Sequence, residues 1–510
     1  MKEENGMKIE VMDTTLRDGE QTPGLAFSES EKFNIAKMLL EEVCADRIEV
    51  ASARVSKGEQ RAVRLITSWC SEKNYLDRVE VLGFVDGKSS VDWIHSAGGK
   101  VLNLLCKGSL RHVVHQLKKT PEQHMSDIDD VVLYAKSKGL SVNLYLEDWS
   151  NGMANSQDYV FDLVDYFAGH EIGRFMLTDT LGILTPDQTY DYCRKMVEKY
   201  PDLRFDFHAH NDYDLAVANT LMAVKAGVSG IHTTVNGLGE RTGNVTLSSI
   251  VGVLRDHCKD AEFSIDETKL HKISKIVEAF SGVRIPANKP IIGENVFTQT
   301  CGIHADGDNK GNLYCTALMP ERFGRLRKYA LGKTSGKASI LKNLEELGIE
   351  LDNDSIVKLT ERIVELGDKK EYVTTEDLPY IISDVLGSTG SEEKIKIRNY
   401  YLCHAMNLTP VATLSIEIDG HLYEDTATGD GQYDAFMKAV GKIYQRINKP
   451  LPELVDYVVT IPPGGSTSAL VETMITWNLE KEFKTRGLDL DQTASAIKAT
   501  VRMLNFIEKT

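Results

Sequence analysis

No run of apolar residues in this chain approaches the roughly 20 that cross a bilayer, and the opening Met1-Lys-Glu-Glu-Asn-Gly6 lacks the apolar stretch of a secretory signal. A cytoplasmic protein with no membrane partner is expected. Basic charge is also scarce. Lys and Arg number 59 against 75 Asp and Glu, a net charge of -16, which disfavours a polyanion-binding surface and with it a nucleic-acid partner. The eight cysteines include no Cys-x-x-Cys pair, which argues against a cysteine zinc site, suits a reducing compartment and predicts that most are buried apolar fillers. No Gly-x-Gly-x-x-Gly follows the first strand-like run, so the usual mark of a doubly wound dinucleotide fold is missing.

What is present is a long alternation. At 510 residues the chain exceeds one ordinary core, and two or three domains are expected. Eight strand-like runs precede residue 260: 9–13, 47–51, 79–84, 101–105, 141–146, 174–177, 203–207 and 231–235. Amphipathic stretches such as 29–42 and 213–226 separate them. Strand then helix, eight times over, predicts an α/β fold, a (β/α)8 TIM barrel, over residues 1–284. The alternation then stops. Residues 285–390 predict an irregular and helical connector, with helices at 336–347, 354–367 and 376–386 and a linker at 387–393. Residues 391–510 predict an α+β module with strands at 394–403, 411–418, 420–425, 454–461 and 469–477 and helices at 433–447 and 492–507.

Chemistry in such a barrel sits at the C-terminal ends of the strands. Ionisable residues concentrate there: Arg17 and Asp18, Glu49, Glu147, Asp179, His208 and His210, then the run 236–244. In a strand, residues two apart share a face, so His208 and His210 can offer two imidazoles to one divalent metal. So many ionisable groups on one rim favour an enzyme over a scaffold.

Three stretches carry a resemblance: Asp13-Thr-Thr-Leu-Arg-Asp-Gly-Glu-Gln21, Phe207-His-Ala-His-Asn-Asp212 and Asn236-Gly-Leu-Gly-Glu-Arg-Thr-Gly-Asn244. Together they resemble the family of α-isopropylmalate, homocitrate and citramalate synthases. The likeness extends through the connector to Thr428-Gly-Asp-Gly-Gln-Tyr-Asp434, and the last strands with Ile461-Pro-Pro-Gly-Gly465 are most similar to the citramalate members.

The resemblance implies condensation of acetyl-CoA with a 2-oxo acid and hydrolysis of the thioester. It implies Asp18, His208, His210 and Asn244 as ligands of a divalent cation, Mg²⁺, Mn²⁺ or Zn²⁺, that a 2-oxo acid chelates. Asp18 thereby also touches substrate. Arg17 would stabilise the alkoxide that forms on attack, the alternative being a rim ion pair with Asp18 or Glu20. Thr180 would donate to the substrate carboxylate, the alternative being a turn or helix-cap hydroxyl. Glu147 and His304 are the candidate bases for the acetyl methyl, and the choice between them stays open. Asp306, Asn312, Leu313 and Tyr314 would line the acetyl-CoA site, Tyr314 also positioning the hydrolytic water. The connector histidine comes from the neighbouring subunit in related synthases, so a homodimer with exchanged connector segments is implied.

Substrate choice turns on size. Isopropylmalate synthases commonly carry Phe-Ser-x-Glu-Asp after the fifth strand, where this chain has Leu144-Tyr-Leu-Glu-Asp148. Tyr145, Leu82 and Leu105 leave room for a methyl group and little for isopropyl, which favours pyruvate as substrate and citramalate as product. The resemblance further implies feedback by a hydrophobic amino acid, isoleucine, at Tyr433, Asp434, Leu454, Tyr457, Ile461, Thr467, Val471 and Gln492. Leu490 departs from the proline of close relatives. The alternatives are 2-isopropylmalate synthesis from 2-oxoisovalerate, a carbon-carbon lyase on the same barrel, and a catalytically silent amino-acid sensor.

Overall fold

The computed structural model describes residues 7–299, 307, 311, 313–368, 373, 375–378, 381–382, 385, 394–406, 408–460 and 471–508. The chain divides into two compact units, Met1–Phe297 with Cys315–Arg327, and Thr298–Tyr314 with Lys328–Thr510.

The first unit holds a closed barrel of eight parallel strands in sequential order. They are β1 (Glu10–Asp13), β2 (Arg47–Ser52), β3 (Val79–Phe84), β4 (Val101–Lys107), β5 (Ser141–Glu147), β6 (Phe175–Asp179), β7 (Phe205–Ala209) and β8 (Gly230–Thr233). Each matches an expected run to within a few residues. The largest shift, in β7, has a local cause: Pro201-Asp202 turn the chain and the Leu203 amide donates to the Tyr200 carbonyl at 3.1 Å, so pairing starts later. The strand therefore ends beside the histidine pair instead of before it.

Several helices around the barrel declare their starts in sequence. Ser28 with Glu31, Thr120 with Gln123 and Thr185 with Gln188 form reciprocal capping boxes, the last two followed by proline at the first helical position, where its missing N–H costs nothing. Register then places side chains. Along β4 and β5, Leu105 lies opposite Tyr145 and Lys107 opposite Glu147.

The barrel axis is polar to an unusual degree. Arg47, Glu80, Asn103, Asn143, Asp206 and His232 are all buried. Above them Met12, Leu82, Tyr145 and Met176 form a small apolar cluster against which Leu105 packs.

In the second unit, helices Lys337–Glu346 and Asn353–Asp368 pack through Ile340, Leu344, Ile356, Leu359 and Ile363. Of the expected helix at 376–386 only residues 376–378, 381–382 and 385 are described, and all of the linker lies outside the described residues. The C-terminal module is two antiparallel sheets of three strands, β9 (Ile395–Cys403) to β11 (His421–Thr428) through β10 (Val411–Ile418), and β12 (Glu453–Thr460) to β14 (Glu482–Asp489) through β13 (Val471–Asn478). A helix follows each sheet, Gln432–Arg446 and Gln492–Ile507, and Leu414, Ile416, Phe436, Val440, Trp477 and Met503 share one core.

Strand β14 is the element sequence reasoning missed. Its charged alternation, Glu482, Lys484, Arg486, and its Gly487 read as a loop. The glycine is a docking point, since a Cβ there would lie 1.9 Å from the Ser495 carbonyl oxygen of the following helix. The seven cysteines among the described residues are free, but only Cys70, Cys106 and Cys193 are buried, fewer than expected. No helix among the described residues is long and apolar enough to cross a membrane.

Candidate metal centre and active site

After β1 the chain folds back on itself: the amides of Arg17, Asp18 and Gly19 all donate to the Thr14 carbonyl, at 3.2, 2.9 and 3.0 Å. This tight turn returns two charged side chains to the barrel axis, where both are buried. Asp18 Oδ2 lies 3.3 Å from His208 Nε2, and His208 Nε2 lies 3.5 Å from His210 Nε2. Asp18, His208 and His210 are the one group among the described residues whose side chains could jointly hold a metal ion.

The surroundings fit a cation. Asp18 Oδ1 is buried with no hydrogen-bond partner among the described residues. Asn244, joined to His210 by an isolated backbone bridge, spends its amide nitrogen on the Leu238 carbonyl at 3.0 Å and leaves its Oδ1 equally unpartnered among them. Burial pushes His210 down to about 4, so it is neutral at pH 7 with a lone pair to give. Burial would raise the Asp18 carboxyl, but the neighbouring Arg17 guanidinium outweighs it and holds the group well below its ordinary value. Three oxygen and nitrogen donor types, neutral imidazole, carboxylate and carboxamide, suit a divalent ion such as Mg²⁺, Mn²⁺ or Zn²⁺.

Arg17 is clamped from three sides. Its Nε donates to Glu49 Oε2 at 2.6 Å, its Nη1 to Asp18 Oδ2 at 3.0 Å and its Nη2 to the Tyr145 hydroxyl at 3.1 Å. Glu20, the other sequence candidate for pairing with Arg17, instead meets Lys32 at 2.6 Å. Glu49 is held in turn by Thr14 at 2.7 Å and Asn103 at 2.8 Å. Tyr145 makes two more polar contacts, to His208 Nδ1 at 3.3 Å and His232 Nδ1 at 2.8 Å, and its ring packs in the apolar cluster with Leu82. Burial, reinforced by the Glu49 charge, raises its hydroxyl far above the ordinary tyrosine range, so it stays a phenol.

Glu147 is half-buried on the rim and ion-paired with Lys107. The Thr180 hydroxyl accepts from the Asp148 amide at 2.8 Å, a turn contact, and lies 3.1 Å from Thr178 Oγ1. His304, Asp306 and Asn312 lie outside the described residues. Leu313 and Tyr314 belong to the second unit and are exposed, Tyr314 packing its ring where a Cβ on Gly307 would go.

In the C-terminal module, the Tyr433 hydroxyl meets Thr500 Oγ1 at 2.7 Å and its ring lies 5.5 Å from that of Tyr457. Asp434 accepts from the Asp430 amide at 2.8 Å and from Lys438 at 2.7 Å. Leu454 is exposed, Val471 buried and Gln492 exposed, the last beside Tyr457 as a hydrogen-bond partner. Ile461 and Thr467 lie outside the described residues.

Sequence reasoning did not single out the roles of Glu49, Asp206 and His232. The signal was available: within β7 and β8, Asp206 shares a face with His208, and a histidine in an otherwise aliphatic and threonine strand has to point somewhere polar.

Comparison with known proteins gives family matches along most of the chain. The HMGL-like family matches residues 8–277, the homocitrate synthase post-HMGL domain-like family 291–371, and the LeuA allosteric (dimerisation) domain 372–508. An (R)-citramalate synthase of Methanocaldococcus jannaschii is 33% identical over 508 residues, 98% of this chain and 100% of the relative. A 2-isopropylmalate synthase of the same organism is 32% identical over 508 residues, 98% of this chain and 95% of the relative. Identity therefore does not separate the two activities, but with the barrel, the clustered Asp18, His208 and His210 and the C-terminal domain it establishes that this chain belongs to the HMGL-like family, in its group of citramalate and 2-isopropylmalate synthases.

Proposed function

We propose that this enzyme condenses acetyl-CoA with pyruvate and hydrolyses the thioester, releasing citramalate and CoA. The observation that carries the choice of pyruvate is the fastening of Tyr145. Its hydroxyl is held by Arg17, His208 and His232, so the ring cannot swing aside to admit a branched side chain. Leu82, Met12 and Met176 back it, with Leu105 beside them, and an isopropyl group in place of methyl would overpack this wall at about 1–3 kcal/mol.

Asp18, His208, His210 and Asn244 would hold a divalent ion, whose chemistry here is to orient a chelating 2-oxo acid and draw electron density from its keto carbon. Arg17 presents a fixed guanidinium where negative charge develops on the keto oxygen. Glu147 or His304 takes a proton from the acetyl methyl, a carbon-carbon bond forms to the keto carbon, and the new alkoxide is protonated. Water then displaces CoA thiol, with Tyr314 proposed to position it. Asp306, Asn312 and Leu313 are assigned to the acetyl-CoA site and Thr180 to the substrate carboxylate.

A homodimer is supported by the LeuA dimerisation match and by the exposed apolar side chains Tyr401, Leu422, Leu454 and Val455 of the C-terminal sheets. Isoleucine is assigned as effector, around Tyr433, Asp434, Tyr457 and Gln492. Release of CoA thiol from acetyl-CoA with Mg²⁺ or Mn²⁺ tests the whole reading, comparing pyruvate, 2-oxoisovalerate and 2-oxoglutarate with and without isoleucine or leucine. Pyruvate preference with isoleucine inhibition is expected. Preference for 2-oxoisovalerate with leucine inhibition would keep the chemistry and overturn the pocket. Tyr145→Ser at saturating metal should raise the share of turnover on 2-oxoisovalerate by about tenfold or more; no gain would remove Tyr145 as gatekeeper.

A further inference from the structure

Behind the metal centre a line of buried side chains runs down the barrel axis. His208 Nδ1 lies 3.3 Å from the Tyr145 hydroxyl, which lies 2.8 Å from His232 Nδ1. His232 Nε2 lies 3.2 Å from Asp206 Oδ2. Asp206 is pinned by ion pairs to Arg47 and, at 3.1 Å, to Arg174. It has no room to retreat, since its carboxylate sits where a Cβ on Gly230 would be, 2.0 Å from Oδ1.

The protons along this line can be counted. Tyr145 has one proton and three nitrogen neighbours, Arg17 Nη2, His208 Nδ1 and His232 Nδ1. Arginine only donates. A carboxylate between two guanidiniums only accepts, so the proton on His232 facing Asp206 belongs on Nε2 and its Nδ1 offers a lone pair. The tyrosine proton goes there. Tyr145 oxygen is then left as an acceptor toward His208, which has to supply a proton from Nδ1. In a neutral ring that leaves His208 Nε2 bare, and Nε2 is the nitrogen beside Asp18 and His210.

We infer that His232, backed by Asp206 and acting through Tyr145, is a positioning residue that sets the tautomer of His208 so that its Nε2 lone pair faces the cation. This rests on the reading of Asp18, His208 and His210 as metal ligands. It also gives Tyr145 a second task beyond closing the pocket, because a ligating histidine whose other N–H lacks an acceptor binds metal less tightly, typically by about 10–100-fold.

Two measurements on the full-length, metal-free protein test it. Long-range ¹H–¹⁵N spectra of histidine-labelled protein, with His208 assigned by substitution, should show the proton on Nδ1. A proton on Nε2 would overturn the inference, and since no metal is involved this result stands apart from the ligand reading. Mn²⁺ titration followed by electron paramagnetic resonance should show affinity falling about 10–100-fold in His232→Phe. In His232→Asn, whose carboxamide oxygen can take the place of Nδ1 opposite the tyrosine proton, affinity should stay within about 3-fold of the parent. Equal Mn²⁺ affinity in His232→Phe and the parent would overturn the relay. The same titration of Asp18→Ala probes the ligand reading alone: undiminished binding there would reject the site, whatever the tautomer. Should His232→Phe not fold, the tautomer measurement decides.

Discussion

The two ends of the barrel axis hold the same kinds of side chain in opposite arrangements. At the N-terminal end, cations and anions alternate: Arg47 meets Glu80 at 2.8 Å and Glu10 at 3.3 Å, and both Arg47 and Arg174 meet Asp206. At the C-terminal end one cation, Arg17, serves Asp18 and Glu49, two imidazole nitrogens lie 3.5 Å apart, and Asp18 Oδ1 and Asn244 Oδ1 have no hydrogen-bond partner among the described residues. Burying charge is costly unless it is paired. One end meets that cost within the protein and serves the fold. The other leaves part of it unmet among the described residues, where the proposed ion would bind.

The contrast is broken most severely by exchanging which end loses an acid. Asp206→Leu takes the shared buried carboxylate from Arg47 and Arg174, leaving them Glu80 and Glu10, and removes the acceptor facing His232 Nε2; it should lower the unfolding free energy by about 3 kcal/mol in urea melts. Asp18→Ala, measured without metal, should stay within about 1 kcal/mol of the parent because Arg17 keeps Glu49, yet lose about 10²-fold or more in turnover. Equal destabilisation by the two substitutions would erase the distinction between the ends.

Gly230→Ala sharpens it further. The added methyl has to displace the Asp206 carboxylate and should cost about 1–3 kcal/mol without touching a ligand residue. A neutral outcome in the same melts would mean the charged end is looser than its packing implies.

A third test lies outside both ends. His124, buried and 2.8 Å from the Tyr159 hydroxyl, is pushed by burial from 6.5 down to about 4. Its folded value lies below its unfolded one, so the unfolded chain binds the extra proton. The stability it confers is whole above pH 6.5 and drains away as pH falls through the window down to 4, on the order of 3 kcal/mol. His124→Phe should flatten that part of the stability profile; an unchanged slope would place the acid sensitivity elsewhere.

Much of this architecture was legible in the sequence because its signals are local. Eight strand runs, the proline-led capping boxes after Thr120 and Thr185, and the two-residue spacing of His208 and His210 each rest on a handful of neighbours. What escaped depends on residues far apart in the chain. Glu49 clamps Arg17 across 32 positions and His232 meets Tyr145 across 87, and no pattern along a strand announces such a partner. Strand β14 escaped for another reason: its charged residues and Gly487 look like a loop until the helix that packs on the glycine is in place.

The Tyr145 hydroxyl has a consequence for how such an enzyme changes over generations. In the proposed reading, one side chain bounds the pocket that chooses the substrate and its oxygen accepts the proton that orients a metal ligand. A lineage cannot alter the first property by shrinking this side chain without disturbing the second. A switch to a bulkier 2-oxo acid is therefore a two-step path, in which a new acceptor for the His208 ring, a water or a polar neighbour, has to arrive before or with the smaller residue. The order of those steps is the historical constraint written into this barrel.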